Sequence, residues 1–283
     1  MIEDTVATIQ LDELIIMALK EDIGPGDKTT AHLVEPGLQG RATVIAREEL
    51  VVAGMVPFRR VFQILSSRVE FLFAEQEGEL IEKGALIAEL QGPFDILLSG
   101  ERTALNFLQH LSGVATRTAQ FVERIKPYEV ALLDTRKTAP GMRVLEKEAV
   151  HVGGGINHRV GLFDGILIKD NHIAACGGIT QAVKKAQAAR NPLLKIEVEV
   201  CTIQELIEAL DTGPDMIMLD NMAIDDIRKA VEIAGDGIPL EVSGNVTLEN
   251  IEEIAQTGVN YISVGSITHS ARAVDISMEI NCE

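Results

Sequence analysis

The feature that most restricts the fold is a series of six short apolar segments after residue 130: VALLD (130–134), GILIK (165–169), IEVEV (196–200), MIMLD (216–220), LEVSG (240–244) and YISVG (261–265). Between them lie RVLEKEAVHV, TQAVKKAQAAR, TIQELIEAL, AIDDIRKAVEIA and LENIEEIAQTG, whose apolar residues repeat at helical spacing. Strict alternation of strand and helix points to a parallel sheet with helical crossovers. The last four strands recur roughly every twenty residues, close to the shortest βα unit. Six units are fewer than the eight of a closed barrel. The expected architecture is therefore an open or incomplete (β/α) barrel, with a doubly wound sheet as the structural alternative.

The first part of the chain lacks this rhythm. LDELIIMALKED (11–22) and VPFRRVFQIL (56–65) read as helices, whereas GRATVIARE (40–48), VEFLFA (69–74) and ALIAEL (85–90) read as strands. Strands beside helices without alternation predict an α+β sandwich layer. A helical stretch follows over 93–125, with apolar residues at 104, 105, 107, 108, 111, 114 and 115 that wrap around the helix. Such a pattern implies burial on several sides. Gly100 and Gly113 are expected to divide it. The predicted division is an N-terminal sandwich domain with an interface helix over 1–111, a barrel over 112–267 and a C-terminal helical tail over 268–283.

In a barrel, chemistry collects at the C-terminal ends of the strands. Here every strand ends in polar or glycine residues: Asp134, Thr135, Arg136 and Lys137; Lys169, Asp170, Asn171 and His172; Glu199; Asp220 and Asn221; Ser243, Gly244 and Asn245; Gly265 and Ser266. One such end is ordinary loop composition, but six on the same side form a pattern. The chain carries a net charge of −18, yet residues 134–172 sum to +1. A locally cationic loop system on an acidic protein focuses small anions, and arginines match planar carboxylates. Any one of these cations could instead be a solvated ion pair, above all Arg143 and Lys147, which stand at helical spacing among glutamates. The glycines of HVGGGINHRVGLFDG (151–165) serve close backbone approach or mobility. They precede a strand rather than follow one, which excludes a dinucleotide fingerprint. SGN and VGS at the late strands resemble a phosphate cradle. Glu199 and Asp220 at neighbouring strand ends could bind Mg²⁺ or sugar hydroxyls, or stabilise an oxocarbenium-like carbon. Glu197 shares a strand face with Glu199 and cannot be separated from it by pattern.

The acidic balance argues against nucleic acid and anionic membrane as partners. The N-terminus shows no signal-peptide pattern, and no apolar run is long enough to span a bilayer. Cys176, Cys201 and Cys282 are odd in number and far apart. That fits a cytoplasmic protein without disulfides or a cysteine zinc site.

The segment DTRKTAPGMRVLEKEAVHVGGGINHRVGLFDGILIKDNH resembles the core of the carboxylating nicotinate-nucleotide pyrophosphorylases, also called quinolinate phosphoribosyltransferases. ERTALNFLQHLSGVAT, EVE, MIMLDN, EVSGN and ISVGS match further signatures of that family in order. The resemblance implies a pentosyltransferase of NAD biosynthesis. It would convert quinolinate and phosphoribosyl pyrophosphate, with Mg²⁺, into nicotinate mononucleotide, CO₂ and pyrophosphate. It also implies a sandwich followed by an open barrel, and a homodimer, or a higher oligomer, in which Arg102 enters the partner's site. Carried over onto this sequence, Arg136, Lys137, His158, Arg159 and Lys169 match the dicarboxylate pocket, with Thr135 a further substrate-binding position. Glu199 and Asp220 match the pair facing ribose and metal. Ser243, Gly244, Gly265 and Ser266 match the 5′-phosphate site, with Val264 a further substrate-binding position and the role of Asn245 open. Lys137, Lys169, Glu199 and Asp220 are the expected catalytic set. The nearest rival is the phosphoribosyltransferase-like paralogue of molybdate-transport operons. The run VGGGINHRVGL…IKDNH favours the quinolinate enzymes. An unrelated phosphate-binding barrel lyase and a non-catalytic metabolite sensor are more distant readings.

Overall fold

The computed structural model describes residues 5–282. Contacts divide the chain into two units, one running through Arg117 and resuming at Ala271, the other Thr118–Ser270. The division falls inside a helix, after the 111/112 boundary expected from the sequence.

The first unit begins with α1 (Thr5–Ile23) and α2 (Lys28–Leu33), followed by β1 (Gln39–Ala46) and β2 (Leu50–Val51). Then come α3 (Met55–Leu65), β3 (Glu70–Ala74), β4 (Leu80–Ile81), β5 (Leu86–Pro93) and α4 (Phe94–Ile125). Leu11, Ile15 and Leu19 bury one stripe of α1, and Arg60 of α3 grips Asp12 with two bonds of 2.7 Å. Phe58, Phe62 and Phe71 pack edge to face, with ring centroids 5.5–6.2 Å apart, the arrangement ring quadrupoles favour.

Two sequence expectations fail in this unit. The helix over 93–125 is not divided, because α4 is one helix of 32 residues. Its glycines permit close packing instead of breaking the helix. A Cβ on Gly100 would lie 2.7 Å from the Phe62 ring, and one on Gly113 would overlap the carbonyl oxygen of Arg272. The expected helical tail is a strand, β12 (Ile276–Cys282), paired antiparallel with β1 from Gly40↔Cys282 to Ala46↔Ile276. Ile276 and Met278 are buried on one face, which is the period of two that a half-buried strand requires. The sheet order is β12-β1-β5-β3, with β2 and β4 forming a separate pair.

The second unit contains β6 (Ala131–Leu133), α5 (Arg143–Val152), β7 (Ile166–Ile168), α6 (Asp170–Cys176) and α7 (Ile179–Ala189). It continues with β8 (Ile196–Val200), α8 (Ile203–Thr212), β9 (Met216–Asp220), α9 (Ile224–Ala234) and β10 (Leu240–Ser243), and then α10 (Ile251–Ala255), β11 (Tyr261–Ser263) and α11 (Ser266–His269). All six strands are parallel in the order β6-β11-β10-β9-β8-β7. That order is cyclic with one break, between the first and second strands of the unit. It is the expected open barrel. The residues before Asn157 partly cover the exposed edge of β6, because Ile156 N–H donates to Leu132 O at 2.8 Å and Asp134 N–H to Ile156 O at 3.2 Å.

The strands explain why the unit folds around a polar interior. Ile196, Val198 and Val200 of β8 are almost fully buried, and the helices packed on the strand include α7 and α8. The alternate residues Glu197 and Glu199, together with Met218 and Asp220 of β9 and Glu241 and Ser243 of β10, occupy the other face. A sealed barrel would fill such positions with branched apolar side chains. Carboxylates in their place mark a site.

Candidate active site

The C-terminal ends of the strands surround a cleft of about 350 Å³, within the range of small-molecule sites. Asp134, Thr135, Arg136 and Lys137 reach it from the end of β6, and His158 and Arg159 from the loop before β7. Leu167, Lys169, Met218, Asp220, Glu241, Ser243 and Ser263 line it from β7, β9, β10 and β11. The four cations expected from the sequence, Arg136, Lys137, Arg159 and Lys169, therefore meet at one mouth.

A buried ion pair fixes the loop that carries two of these residues. Asp134 and Lys147 have side-chain exposures of 0% and 3%. Lys147 is thus not the solvated cation its helical spacing predicts. Its ammonium binds the Asp134 carboxylate and donates to His158 O at 2.8 Å. Asp134 in turn accepts from His158 N–H at 2.8 Å. With its amide oriented to suit its neighbours, Asn157 donates to Asp134 at 2.7 Å and to Lys147 O at 2.9 Å. Burial pushes Asp134 up and Lys147 down, and their mutual attraction opposes both shifts. The glycines ahead of this loop serve close approach. Gly154 has φ +90°, and a Cβ on Gly155 would come within 2.8 Å of Val150.

Lys169 is paired with Glu199, but the arginines of the cleft keep bonding capacity to spare. The Nε of Arg136 is buried with no acceptor. Burial, then repulsion from Arg136, pulls Arg159 below its ordinary value, with Glu197 and Asp164 acting the other way. One Nη of Arg159 donates to Gly165 O at 3.0 Å, and its backbone N–H donates to His158 Nδ1 at 2.8 Å. Neighbouring guanidiniums with an orphaned donor form a receptor for a planar anion. Lys137 stands exposed beside the end of β11. A Cβ on Gly265 would sit 3.0 Å from its Cδ, and Thr268 Oγ1 donates to its carbonyl at 2.7 Å.

Lys169 joins the cationic and acidic halves, because its ammonium binds Glu199. Glu199 therefore adjoins the cleft through Lys169 and is not itself among the lining residues. Asp220 lines the cleft and accepts from Asn221 at 2.7 Å. Asn245, whose role was open, donates to Asn221 Oδ1 at 2.9 Å. Both asparagines have positive φ, 55° and 52°, in the left-handed region that asparagine tolerates. Gly244, at φ +95°, leaves no space for a Cβ against Asn221. The turn after β10 thus sets the direction of Asp220. Val264 is buried and its amide donates to Leu133 O at 2.9 Å. Ser266 opens α11 directly after Gly265.

The sequence reading did not single out Glu241 and Ser263, which line the cleft, and left Glu197 unresolved. Glu197 and Glu241 are 5% and 0% exposed. The available signal was the period of two in LEVSG, which repeats the acid placement of IEVEV. Arg102 lies on α4 with its side chain exposed and is not among the lining residues. Among the described residues no helix is long and apolar enough to cross a membrane.

Comparison with known proteins finds relatives that span nearly the whole chain. The C-terminal domain of quinolinate phosphoribosyl transferase matches residues 114–279, and its N-terminal domain matches residues 27–112. A probable nicotinate-nucleotide pyrophosphorylase [carboxylating] of Bacillus subtilis is 45% identical over 273 residues, covering 96% of this chain and 94% of the relative. Quinolinate phosphoribosyltransferase [decarboxylating] 1 of Nicotiana glauca is 38% identical, with coverage of 98% and 84%. The structure of the nicotinate-nucleotide pyrophosphorylase from Francisella tularensis superposes with a TM-score of 0.93 at 42% identity, covering 96% of each chain.

Proposed function

Because the chain belongs to the quinolinate phosphoribosyltransferase family, we propose that its cleft joins quinolinate to phosphoribosyl pyrophosphate, releasing pyrophosphate and CO₂ and forming nicotinate mononucleotide. The observation that carries this reading is the orphaned Arg136 Nε beside Arg159, in one cleft with Lys137 and Lys169. A dicarboxylate supplies the acceptors that the protein itself does not.

Arg136, Arg159 and the lysines hold the two carboxylates, and His158 and Thr135 border them. Ser243, Gly244, Gly265 and Ser266 receive the 5′-phosphate, with Asn245 and Val264 shaping the two turns. Cations on the carboxylates aim the pyridine nitrogen at the anomeric carbon, so a bimolecular attack becomes a positioned one. As pyrophosphate departs with the C–O bonding pair, Glu199 and Asp220 stabilise positive character on that carbon. The new N-glycosidic bond leaves the ring nitrogen cationic. The C2–carboxylate bond then breaks, its electron pair stays on C2, CO₂ leaves and a proton takes its place. No covalent link to the protein is needed. Glu199 and Asp220 offer only oxygen donors, which suits a hard divalent cation, and they are the residues that would hold Mg²⁺. When bound, the ion supplies charge neutralisation for pyrophosphate.

The exposed position of Arg102 supports its delivery to the cleft of a second subunit in a homodimer. Three free cysteines suit a reducing cytoplasm. The test combines protein, quinolinate, phosphoribosyl pyrophosphate and Mg²⁺, and follows nicotinate mononucleotide, with nicotinate in place of quinolinate as the control. Lys137→Ala should abolish product with an unchanged far-UV CD spectrum. Undiminished turnover by that variant would remove Lys137 from the mechanism.

A further inference from the structure

Behind His158 lie two acids that the reaction scheme does not use. One atom each of His158, Glu197 and Glu241 lie within 4.8 Å of one another. His158 Nε2 is 2.8 Å from a Glu197 oxygen and 3.5 Å from a Glu241 oxygen. The tautomer follows from the other ring nitrogen. A backbone N–H can only donate, so His158 Nδ1, 2.8 Å from Arg159 N, accepts. The ring proton is on Nε2 and points down to Glu197.

Building on the proposed function, we infer that Glu197 and Glu241 are positioning residues for quinolinate capture. They act through His158, which they lock as the Nε2–H tautomer so that its Nδ1 holds the backbone of Arg159. Glu197 accepts the imidazole proton. Glu241 is the neutral member of the carboxyl pair and donates its own proton to Glu197. If both acids were ionised, both Glu241 oxygens and one Glu197 oxygen would be charged in a buried layer, at a cost that Ser263 and Lys169 offset only in part. With Glu241 protonated, the pair shares a hydrogen bond. Burial, followed by the charge of Glu197, pushes the Glu241 carboxyl well above the usual range, while a hydrogen bond with Ser263 and then the charge of Lys169 act the other way. The ring is therefore fixed from below by this pair. Its backbone is fixed separately by Asp134 and Lys147. Arg159, which follows directly in the chain, inherits the orientation.

A divalent metal held by the same three side chains is the competing explanation, and the experiment separates the two. Glu197→Met, Glu241→Met and Glu241→Gln are compared with the wild-type protein in steady-state kinetics and thermal melts. Nitrogen-15 NMR of histidine-labelled protein is added, with the His158 signal assigned through His158→Gln. Glu197→Met should raise the KM for quinolinate by about tenfold or more, as expected for losing a charge-assisted hydrogen bond. The KM for phosphoribosyl pyrophosphate should change less than about threefold, and the His158 Nε2–H signature should be lost. Glu241→Met should share the defect. Glu241→Gln, which keeps a donor toward Glu197, should restore quinolinate KM to near the wild-type value. The inference is overturned if folded Glu197→Met keeps its quinolinate KM, or if Glu241→Gln is as impaired as Glu241→Met. A stoichiometric metal in the purified wild-type protein that is lost in Glu241→Gln overturns it as well. If the wild-type protein forms no nicotinate mononucleotide, the proposed function fails instead. The NMR comparison then decides the relay alone, and an Nδ1–H signal for wild-type His158 would overturn it.

Discussion

Replacing Lys147 by methionine tests whether the loop bearing His158 and Arg159 is held by a buried charge. Methionine fills similar volume, so the substitution removes the ammonium and leaves little cavity. Asp134, 0% exposed, keeps its bonds from His158 N–H and Asn157 but loses its counter-ion. Breaking one side of a buried pair costs about 3–5 kcal/mol, because the remaining carboxylate stays desolvated. For a unit of this size each kcal/mol lowers Tm by about 2–4 °C, so a fall of roughly 10 °C is expected in a thermal melt. Lys147 also donates to His158 O, so the surviving folded protein should show a raised quinolinate KM. Adding Asp134→Asn removes the stranded charge while keeping an acceptor for His158 N–H. The double variant should regain at least half of the lost stability, since a neutralised pair is often no worse than an intact one. A Lys147→Met protein that melts within about 2 °C of wild type would refute the reasoning, as would a double variant less stable than the single one.

Three further outcomes follow from the geometry. Arg136→Met should weaken quinolinate binding at least about thirtyfold in calorimetry, the lower end for truncating a buried charged contact, while phosphoribosyl pyrophosphate binding is retained. Gly113→Ala should destabilise the protein in a urea titration. Alanine normally favours a helix interior by about 1 kcal/mol, but here its Cβ overlaps the Arg272 carbonyl. Asp27 caps α2, and its bonds from Thr30 Oγ1 and then Thr30 N–H hold its carboxyl below the ordinary 3.8. Asp27→Ala should cost about 1 kcal/mol at neutral pH. A depressed acid stabilises above its unfolded value, so in pH-dependent melts the gap between variant and wild type should close as pH falls below 3.8.

The second unit was legible because short, mostly apolar strands alternate strictly with helices of regular spacing. Arg136, Lys137 and Lys169 were legible as strand-end residues for the same reason, whereas Arg159, in the loop before β7, was legible through the family resemblance. The errors arose where tertiary packing overrode local pattern. Gly100 and Gly113 read as breaks because local propensity has no term for a ring or a carbonyl pressed against the helix. Lys147 read as a surface charge because glutamates at helical spacing look solvated wherever the helix lies. The strand at Ile276–Cys282 needed a partner more than two hundred residues away to become visible. Glu241 was masked by the polar turn that follows it, although a lone acid in an apolar strand is the more informative residue.

The pairing of β12 with β1 makes the barrel an insertion within the first unit. Arg47, just beyond β1, bonds Ser277 across 230 residues of chain. During synthesis β1 can pair with β5 early, but one of its edges waits until the last strand leaves the ribosome. The whole barrel has emerged by then and can fold first. The four-stranded sheet is therefore completed only after the barrel has been made, and a chain that stops short of residue 276 would leave one edge of β1 unpaired.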